Sequence, residues 1–301
     1  MLKFSKSVQE ARAQHIPLVA LESTLIAHGL PWPQNLTLAH ELEALIRAEG
    51  AMPATIALHK GKICIGLEPD ELEILAHPHT DVAKVSRRDM APILARGSWG
   101  ATTVAATLIC AAKAGIRIFA TGGIGGVHRG GEQDLDISAD IPELAQQPVA
   151  VVCAGAKSIL DLPKTLEALE TAGIPLIGYQ TKEFPSFFTR NSGLALEHWA
   201  QTPNEIAAVL SMQDTLGLGH SLLICNPVPE AEALSKDQET RWIDRALAEA
   251  HAQGINGKAT TPFLLKRVAE LSNGKTLKAN LALVKSNARL AAQIQMCLTY
   301  S

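Results

Sequence analysis

The chain has 301 residues, of which 47% are hydrophobic and 19% charged, with a formal net charge of −3. That length allows one large domain or two ordinary ones and leaves interior for a substantial core without staples. The slight negative charge and the absence of any Lys/Arg block exclude a dedicated nucleic-acid surface, and no uninterrupted apolar run approaches the ~20 residues that a membrane span requires.

The opening stretch "MLKFSKSVQEARAQH" carries charge throughout and has no apolar centre, so an unexported, cytoplasmic protein is expected. "IPLVALEST" reads as a buried strand running into a polar turn, and "PQNLTLAHELEALIRAEG" has helical apolar spacing with Gly50 as its stop. "ATIALHKGKICIG" predicts a hairpin turning at Lys60-Gly61, followed by a short helix over "PDELEILAH" and a strand at "VAKVS".

"TTVAATLICAAKAG" is apolar almost all round, as a helix packed on both sides would be, and it feeds the strand "IRIFA" and the glycine-rich "TGGIGGVHRGG". A strand at Val149–Cys153, a helix through "LDLPKTLEALETAG", the strand "PLIGY" and an irregular aromatic stretch, "EFPSFFTRNSG", come next. A helix over "PNEIAAVLSMQDTLG" precedes the strand "HSLLICNPVP", and three helices complete the chain from about Lys236.

This alternation, with no Pro/Gly/Ser linker, predicts one domain over residues 1–301. The fold class is α/β: an α/β/α sandwich with a largely parallel sheet flanked by helices and ligands at strand C-terminal ends. The five cysteines are scattered and mostly in apolar segments, which reads as reduced core thiols. A surface so economical in charge goes with subunit contacts.

Several residues could carry chemistry. In "PVAVVCAGAKSILDL", Lys157 follows an apolar strand where a helix is expected to start. An ammonium there must find an anion, snorkel to water or give up its proton, and the last option makes a nucleophile. Glu22 also follows a strand, as a proton donor in a dry cleft or as an ordinary cap or ion pair. Lys84 within "DVAKVSRRD" is either a site lysine or a surface one.

"TGGIGGVHRGG" fails the G-x-G-x-x-G dinucleotide spacing, because His128 stands at the third position. Its backbone amides, with Thr121, His128 and Arg129, could cradle a phosphate, or the segment could be a simple turn. The carboxylates Glu132, Asp134, Asp136 and Asp140 suit a hard divalent cation or a solvated acidic turn. His77 and His79, separated by proline, read as a surface turn and not as a metal pair.

Taken in order, "ALESTLIAHGLP", "PQNL", "PATIAL", "TTVAAT", "TGGIGGVHRG", "DISAD", "VVCAGAKSILD", "GY.T.EFP.F.TR.SG", "NP.P", "TPFLL.RVAELS" and "ANLALVKSNARLAAQI" closely resemble the pseudouridine-5′-phosphate glycosidase family, which includes indigoidine-synthesis protein A. The resemblance runs from about Val19 to Ile294. It implies reversible cleavage of the carbon–carbon glycosidic bond of pseudouridine 5′-phosphate, giving uracil and ribose 5-phosphate, in a homotrimer that uses Mn2+ or another divalent cation such as Mg2+.

By this resemblance Lys157 is the nucleophile, Glu22 the proton donor, and Lys84 and Val104 substrate contacts. Asp136 falls on the metal-site aspartate, and Ser138, Ala139 and Asp140 on a substrate-binding segment. Thr121 and His128 match the phosphate and sugar pocket, and Asn280 an asparagine facing the base. The sequence departs from the pattern at Ala101, around Asp134 and at Ala259. A lysine-imine sugar-phosphate lyase of aldolase type, or a catalytically silent nucleotide-binding homologue, would share part of this set.

Overall fold

The computed structural model of the chain describes residues 1–131, 135–255 and 260–299; Glu132, Asp134 and Ala259 lie outside them. The strands are β1 (Leu2–Phe4), β2 (Leu18–Leu21), β3 (Met52–His59), β4 (Lys62–Ile65), β5 (Val82–Val85), β6 (Trp99–Thr102), β7 (Ile118–Ala120), β8 (Ala150–Cys153), β9 (Leu176–Tyr179), β10 (His198–Ala200) and β11 (Leu223–Cys225). They form one eleven-stranded sheet in the order β1-β4-β3-β2-β7-β8-β11-β9-β10, with β6 joined to β3 and β5 to β6.

From β3 through β2, β7, β8, β11 and β9 to β10 every pairing is parallel. The antiparallel pairs are β3 with β4 and β3 with β6. The first is the hairpin expected at Lys60-Gly61. Both turn residues have positive φ, 50° and 71°, the two-residue geometry that matches strand twist.

Helices α1 (Lys6–Ala13), α2 (Gln34–Ala48), α3 (Pro69–Ala76), α4 (Arg87–Arg96), α5 (Val104–Ala114) and α6 (Asp140–Leu144) occupy the first half of the chain. They are followed by α7 (Leu162–Thr171), α8 (Pro203–Thr215), α9 (Lys236–Ala252), α10 (Thr260–Leu271) and α11 (Lys275–Thr299). A π-helical turn spans Leu25–Gly29. The fold is the largely parallel sheet flanked by helices that the alternating pattern predicts.

Helix α5 buries Val104, Ala105, Ala106, Thr107, Leu108, Cys110, Ala111 and Ala114, which accounts for its apolar character on nearly every side. Thr103 caps its start and Gly115, at φ 71°, ends it in the left-handed conformation. Helix α11 packs on β2, β7 and β8 and against α2 and α8, burying Ala279, Leu283, Val284, Ala288, Ala291 and Ile294.

The expected helix start at Lys157 is not there. Gly155 takes φ 78°, Ala156 bridges Ile124 in parallel, and Lys157 N–H donates to Ile124 O at 3.1 Å. The pairing of β7 with β8 therefore continues past both strand ends, and α7 begins only at Leu162. No helix N-terminus therefore stands directly behind Lys157.

Candidate active site

Register places three predicted residues side by side. Leu21 faces Ala120 across β2 and β7, and Ala120 faces Val152 across β7 and β8. Glu22 and Thr121 are the next residues of their strands, so they emerge together at the C-terminal edge of the sheet, and Thr121 Oγ1 donates a short hydrogen bond to Glu22 Oε1. Lys157 arrives from the extended segment after β8.

The sheet opens at this point. β3 pairs with β2 through Met52–Thr55 and then with β6 at Ala57 and Leu58, so its neighbour along one edge changes just where β2 ends. Ser23, fully buried, closes the join: its hydroxyl donates to Ile56 O at 2.6 Å and accepts from Thr102 N–H at 2.8 Å. Thr24 adds a bond to Ala101 O at 3.3 Å. A split in a sheet leaves room between diverging backbones, and β5 and β6 deliver Lys84 and Thr103-Val104 to that room.

The resulting cleft, of about 210 Å³, is lined by Glu22, Lys84, Val104, Thr121, His128, Ser138, Ala139, Asp140, Lys157 and Asn280. Thus every residue matched to catalysis or to substrate contact lies on one cavity. Asp136 alone among the matched set is not on its wall.

Burial raises the Glu22 carboxyl above the ordinary range, while Lys157, the Thr121 hydroxyl and Lys84 pull it down and Asp140 adds to the rise. The net direction keeps a proton on Glu22 at higher pH than on a solvated glutamate. Burial also pushes the Cys153 thiol up to about 12 and Cys225 well above its usual range, so neither offers a thiolate beside Lys157.

Asp140 is buried, and both of its carboxylate oxygens are occupied by the protein. Oδ1 accepts from Ala105 N–H at 2.9 Å, in the first turn of α5, and Oδ2 accepts from Gly125 N–H at 2.7 Å. It therefore clips the glycine-rich segment to the start of α5 while still lining the cleft.

Five amides of the glycine-rich segment are committed within the fold, while Gly122, Gly123 and Gly125 line the cleft. The amides of Thr121, Ile124, Gly125, Val127 and His128 donate to Val152 O, Gly155 O, Asp140 Oδ2, Thr165 Oγ1 and Asp136 O. The segment's glycines also answer to close packing: a Cβ on Gly125 would lie 2.2 Å from Ser138 Oγ, and one on Gly126 would lie 2.4 Å from Thr165 Oγ1.

Asp136 is partly exposed, with Oδ2 4.0 Å from His128 Nδ1 at the edge of the cleft. Among the described residues no three His, Cys, Asp or Glu side chains converge. One carboxylate beside the cleft fits a hard cation that keeps several waters, such as Mg2+ or Mn2+, and does not fit a zinc site of three or four protein ligands. His77 meets Trp32 edge-on and His79 at a tilt, and neither histidine lines the cleft.

The structure adds residues that sequence reasoning missed. His28, on the π-helical turn, lines the cleft with a buried Nε2 that has no hydrogen-bond partner among the described residues, and burial followed by the charge of Lys84 lowers its pKa. Phe187, at φ 56°, lines it from the aromatic stretch, and Thr261, Pro262 and Leu265 of α10 form another wall. Fully buried Asn287 donates to Thr121 O at 2.8 Å and accepts from Asn226 Nδ2 at 2.8 Å, tying the "NP" and "SNA" segments to the strand ends. An unusual π turn and a buried asparagine inside an apolar helix are the signals that could have revealed the first and the last of these.

Over residues 7–297 the chain matches the protein family described as Indigoidine synthase A like protein. It is 54% identical over 297 residues to a pseudouridine-5′-phosphate glycosidase of Staphylococcus aureus (strain MW2), covering 99% of this chain and 96% of that protein. It is 55% identical over 293 residues to one of Geobacillus kaustophilus (strain HTA426), covering 97% of each. The crystal structure of the prealnumycin C-glycosynthase AlnA in complex with ribulose 5-phosphate has the same fold, with a TM-score of 0.91 at 37% identity, covering 100% of this chain and 97% of that one. An indigoidine synthase A-like protein from Thermotoga maritima MSB8 gives a TM-score of 0.85 at 38% identity, over 93% and 92% of the two chains. With the family match spanning nearly the whole length and more than half of the residues shared with these glycosidases, the chain belongs to the Indigoidine synthase A like family.

Proposed function

We propose that the protein is a pseudouridine-5′-phosphate glycosidase, an enzyme that reversibly cleaves the bond between C1′ of the ribose and C5 of uracil to give uracil and ribose 5-phosphate. The observation that carries this reading is the convergence of Lys157, Glu22, Thr121 and Asn280 on one cleft. The names of the relatives and the sugar phosphate bound by AlnA support it. Ribulose 5-phosphate is an open-chain sugar, the form that a ring-opening route through a lysine adduct demands.

The chemistry is set by the leaving group. A carbon–nitrogen glycoside departs with electrons on nitrogen, whereas this bond would leave them on carbon, so an electron sink is needed. Glu22 gives its proton to the ring oxygen as the C1′–O4′ bond breaks, and the Lys157 nitrogen bonds to C1′ and loses a proton. Glu22, now a carboxylate, takes the proton that Lys157 loses and passes it to uracil C5. The nitrogen lone pair then forms the C1′=N imine while the C1′–C5 electrons restore the C5=C6 double bond, and uracil departs. Water hydrolyses the imine, releasing ribose 5-phosphate and free Lys157.

Lys84 and His128 grip the phosphate end, whose binding energy holds the opened chain in place, with Val104, Ser138 and Ala139 shaping the sugar site. Asp140 serves it by fixing that wall. Asn280 Oδ1 is buried without a hydrogen-bond partner among the described residues and suits an N–H of the uracil ring. Asp136 would hold Mn2+ or Mg2+, which supplies positive charge that orients and neutralises the phosphate.

A homotrimer is part of the proposal, supported by exposed apolar residues on and just after α8, Val209, Met212, Leu216 and Leu218. The five cysteines are free, which supports a reducing, cytoplasmic setting. No helix among the described residues is long and apolar enough to cross a membrane.

The test is incubation with pseudouridine 5′-phosphate, with and without Mn2+, reading uracil release and ribose 5-phosphate. Metal-dependent release is expected. Binding of ribose 5-phosphate with a borohydride-trapped lysine but no uracil release would favour an aldolase-type lyase, and no turnover at all would mark a silent homologue.

A further inference from the structure

Behind the segment that carries Lys157 lies a second cavity, of about 330 Å³, and Leu160 lines both it and the cleft. Its buried charged group is Glu239, in the first turn of α9 and only 3% exposed. A carboxylate withdrawn from water is costly unless its oxygens are bonded. Here, among the described residues, no cation pairs with it; Lys236, one turn earlier, donates instead to Ser192 O at 2.7 Å.

What surrounds the carboxylate is a set of neutral donors from two segments. Thr189 Oγ1 donates at 2.7 Å and Ser186 Oγ at 3.3 Å, both to Oε2, and the Phe188 N–H also faces it. Ser158, the residue after Lys157, lines the same cavity, and neither its Oγ nor Glu239 Oε1 has a hydrogen-bond partner among the described residues. Burial raises the Glu239 carboxyl, against the pull of these donors.

The two segments matter to the cleft. Residues 186–189 form a tight turn, with Ser186 N–H to Thr189 O at 3.0 Å and Thr189 N–H to Ser186 O at 3.1 Å. Phe187 sits in it at φ 56°, a conformation that costs a bulky residue energy and must be held from outside. Its N–H donates to Ala154 O at 3.1 Å, and its ring lies so close over Gly123 that a Cβ there would meet it at 2.7 Å. Leu234, just before α9, adds a bond from its N–H to Phe188 O at 2.9 Å.

We propose that Glu239 is a positioning residue of the cleft: one buried carboxylate that sets the segment carrying Lys157 and the strained turn carrying Phe187 at a fixed separation. It touches neither the nucleophile nor the substrate and acts through Ser158 and the 186–189 turn. The proposal rests on the glycosidase reading for its kinetic consequence, since a nucleophile misplaced by about 1 Å loses on the order of 10²-fold in rate.

The test compares the full-length wild type with E239A, E239Q and T189V by uracil release, by thermal melting and by amide hydrogen exchange. E239A is expected to lower kcat by on the order of 10²-fold with KM changed by less than about 3-fold. Its amides at 157–160 and at Phe187 should exchange faster, with those of β2 and β7 unchanged. E239Q keeps an acceptor for Thr189 and should recover most of kcat, and T189V should fall between. Wild-type exchange at those amides in E239A, or E239Q as slow as E239A, overturns the proposal. If E239A does not fold, T189V decides: a normal kcat with normal exchange at Phe187 overturns it. A wild type that releases no uracil refutes the glycosidase reading, and the exchange comparison still decides the role of Glu239.

Discussion

Glu22, at the end of β2, and Glu239, in the first turn of α9, are both withdrawn from water, and burial raises both carboxyls above the ordinary range. Their surroundings differ. Glu22 shares an open cleft with Lys157, Lys84 and the Thr121 hydroxyl, whereas Glu239 is enclosed by Thr189, Ser158, Ser186 and the Phe188 N–H. Burial alone raises proton affinity in both places, but only the first carboxyl is pulled back down by neighbouring lysines and faces the cleft that holds the nucleophile, where a ligand can trade a proton with it. The second resembles a fastener, and the same chemistry serves architecture there.

The comparison breaks most readily at the nucleophile. Lys157→Ala should lower uracil release by about 10⁴-fold or more while melting stays near wild type, the scale on which covalent nucleophiles fail. Mass spectrometry after borohydride with ribose 5-phosphate should find the adduct on Lys157; an active alanine variant would reject the covalent route. Glu22→Gln should come next, losing about 10²–10⁴-fold in kcat with ligand binding retained, as for removal of a general acid. Near-normal kcat would move the acid elsewhere.

A smaller effect belongs to Asn280→Ala, which should raise KM for the nucleotide by about 10-fold, the value of one neutral hydrogen bond, while trapping of ribose 5-phosphate is unchanged. Equal loss in both assays would place Asn280 at the sugar and not at the base. Gly125→Ala, whose Cβ would meet Ser138 at 2.2–2.6 Å and Asp140 Oδ2 at 2.8 Å, should destabilise the fold by about 1–3 kcal/mol, read by denaturant midpoint.

The smallest effect concerns Glu22 and pH. Because its folded pKa is raised, the folded state binds the proton more tightly, so that contribution is present at low pH and lost as pH rises through the folded value. Glu22→Gln should therefore gain melting temperature relative to wild type as pH rises from 4 to 8. A gain that shrinks over that interval would show that the carboxylate is the stabilised form.

Much of the cleft was legible because a parallel sheet converts sequence into position. Glu22 and Thr121 each follow an apolar run, and in neighbouring parallel strands the first polar residue after each run must emerge at the same edge. Lys157 is legible for the same reason, although the continued pairing of Ile124 with Ala156 replaces the helix start that its context suggested. The glycine-rich segment was only partly legible, because composition reports freedom to turn and close packing alike. Only the facing atoms of Ser138, Thr165 and Phe187 show which one applies.

The sequence by itself determined the alternating elements, the layered α/β class and the chemical identity of the strand-end residues, since periodicity and polarity are local properties of the chain. The tertiary structure decided that the sheet splits beside Ser23, that α10 and α11 bring Pro262 and Asn280 to the cleft and Asn287 to the Thr121 carbonyl, and that Phe187 reaches the cleft and Glu239 backs it from far along the chain. Those contacts join segments with no local signal of one another, and they exist only once burial of the shared core has brought the segments together.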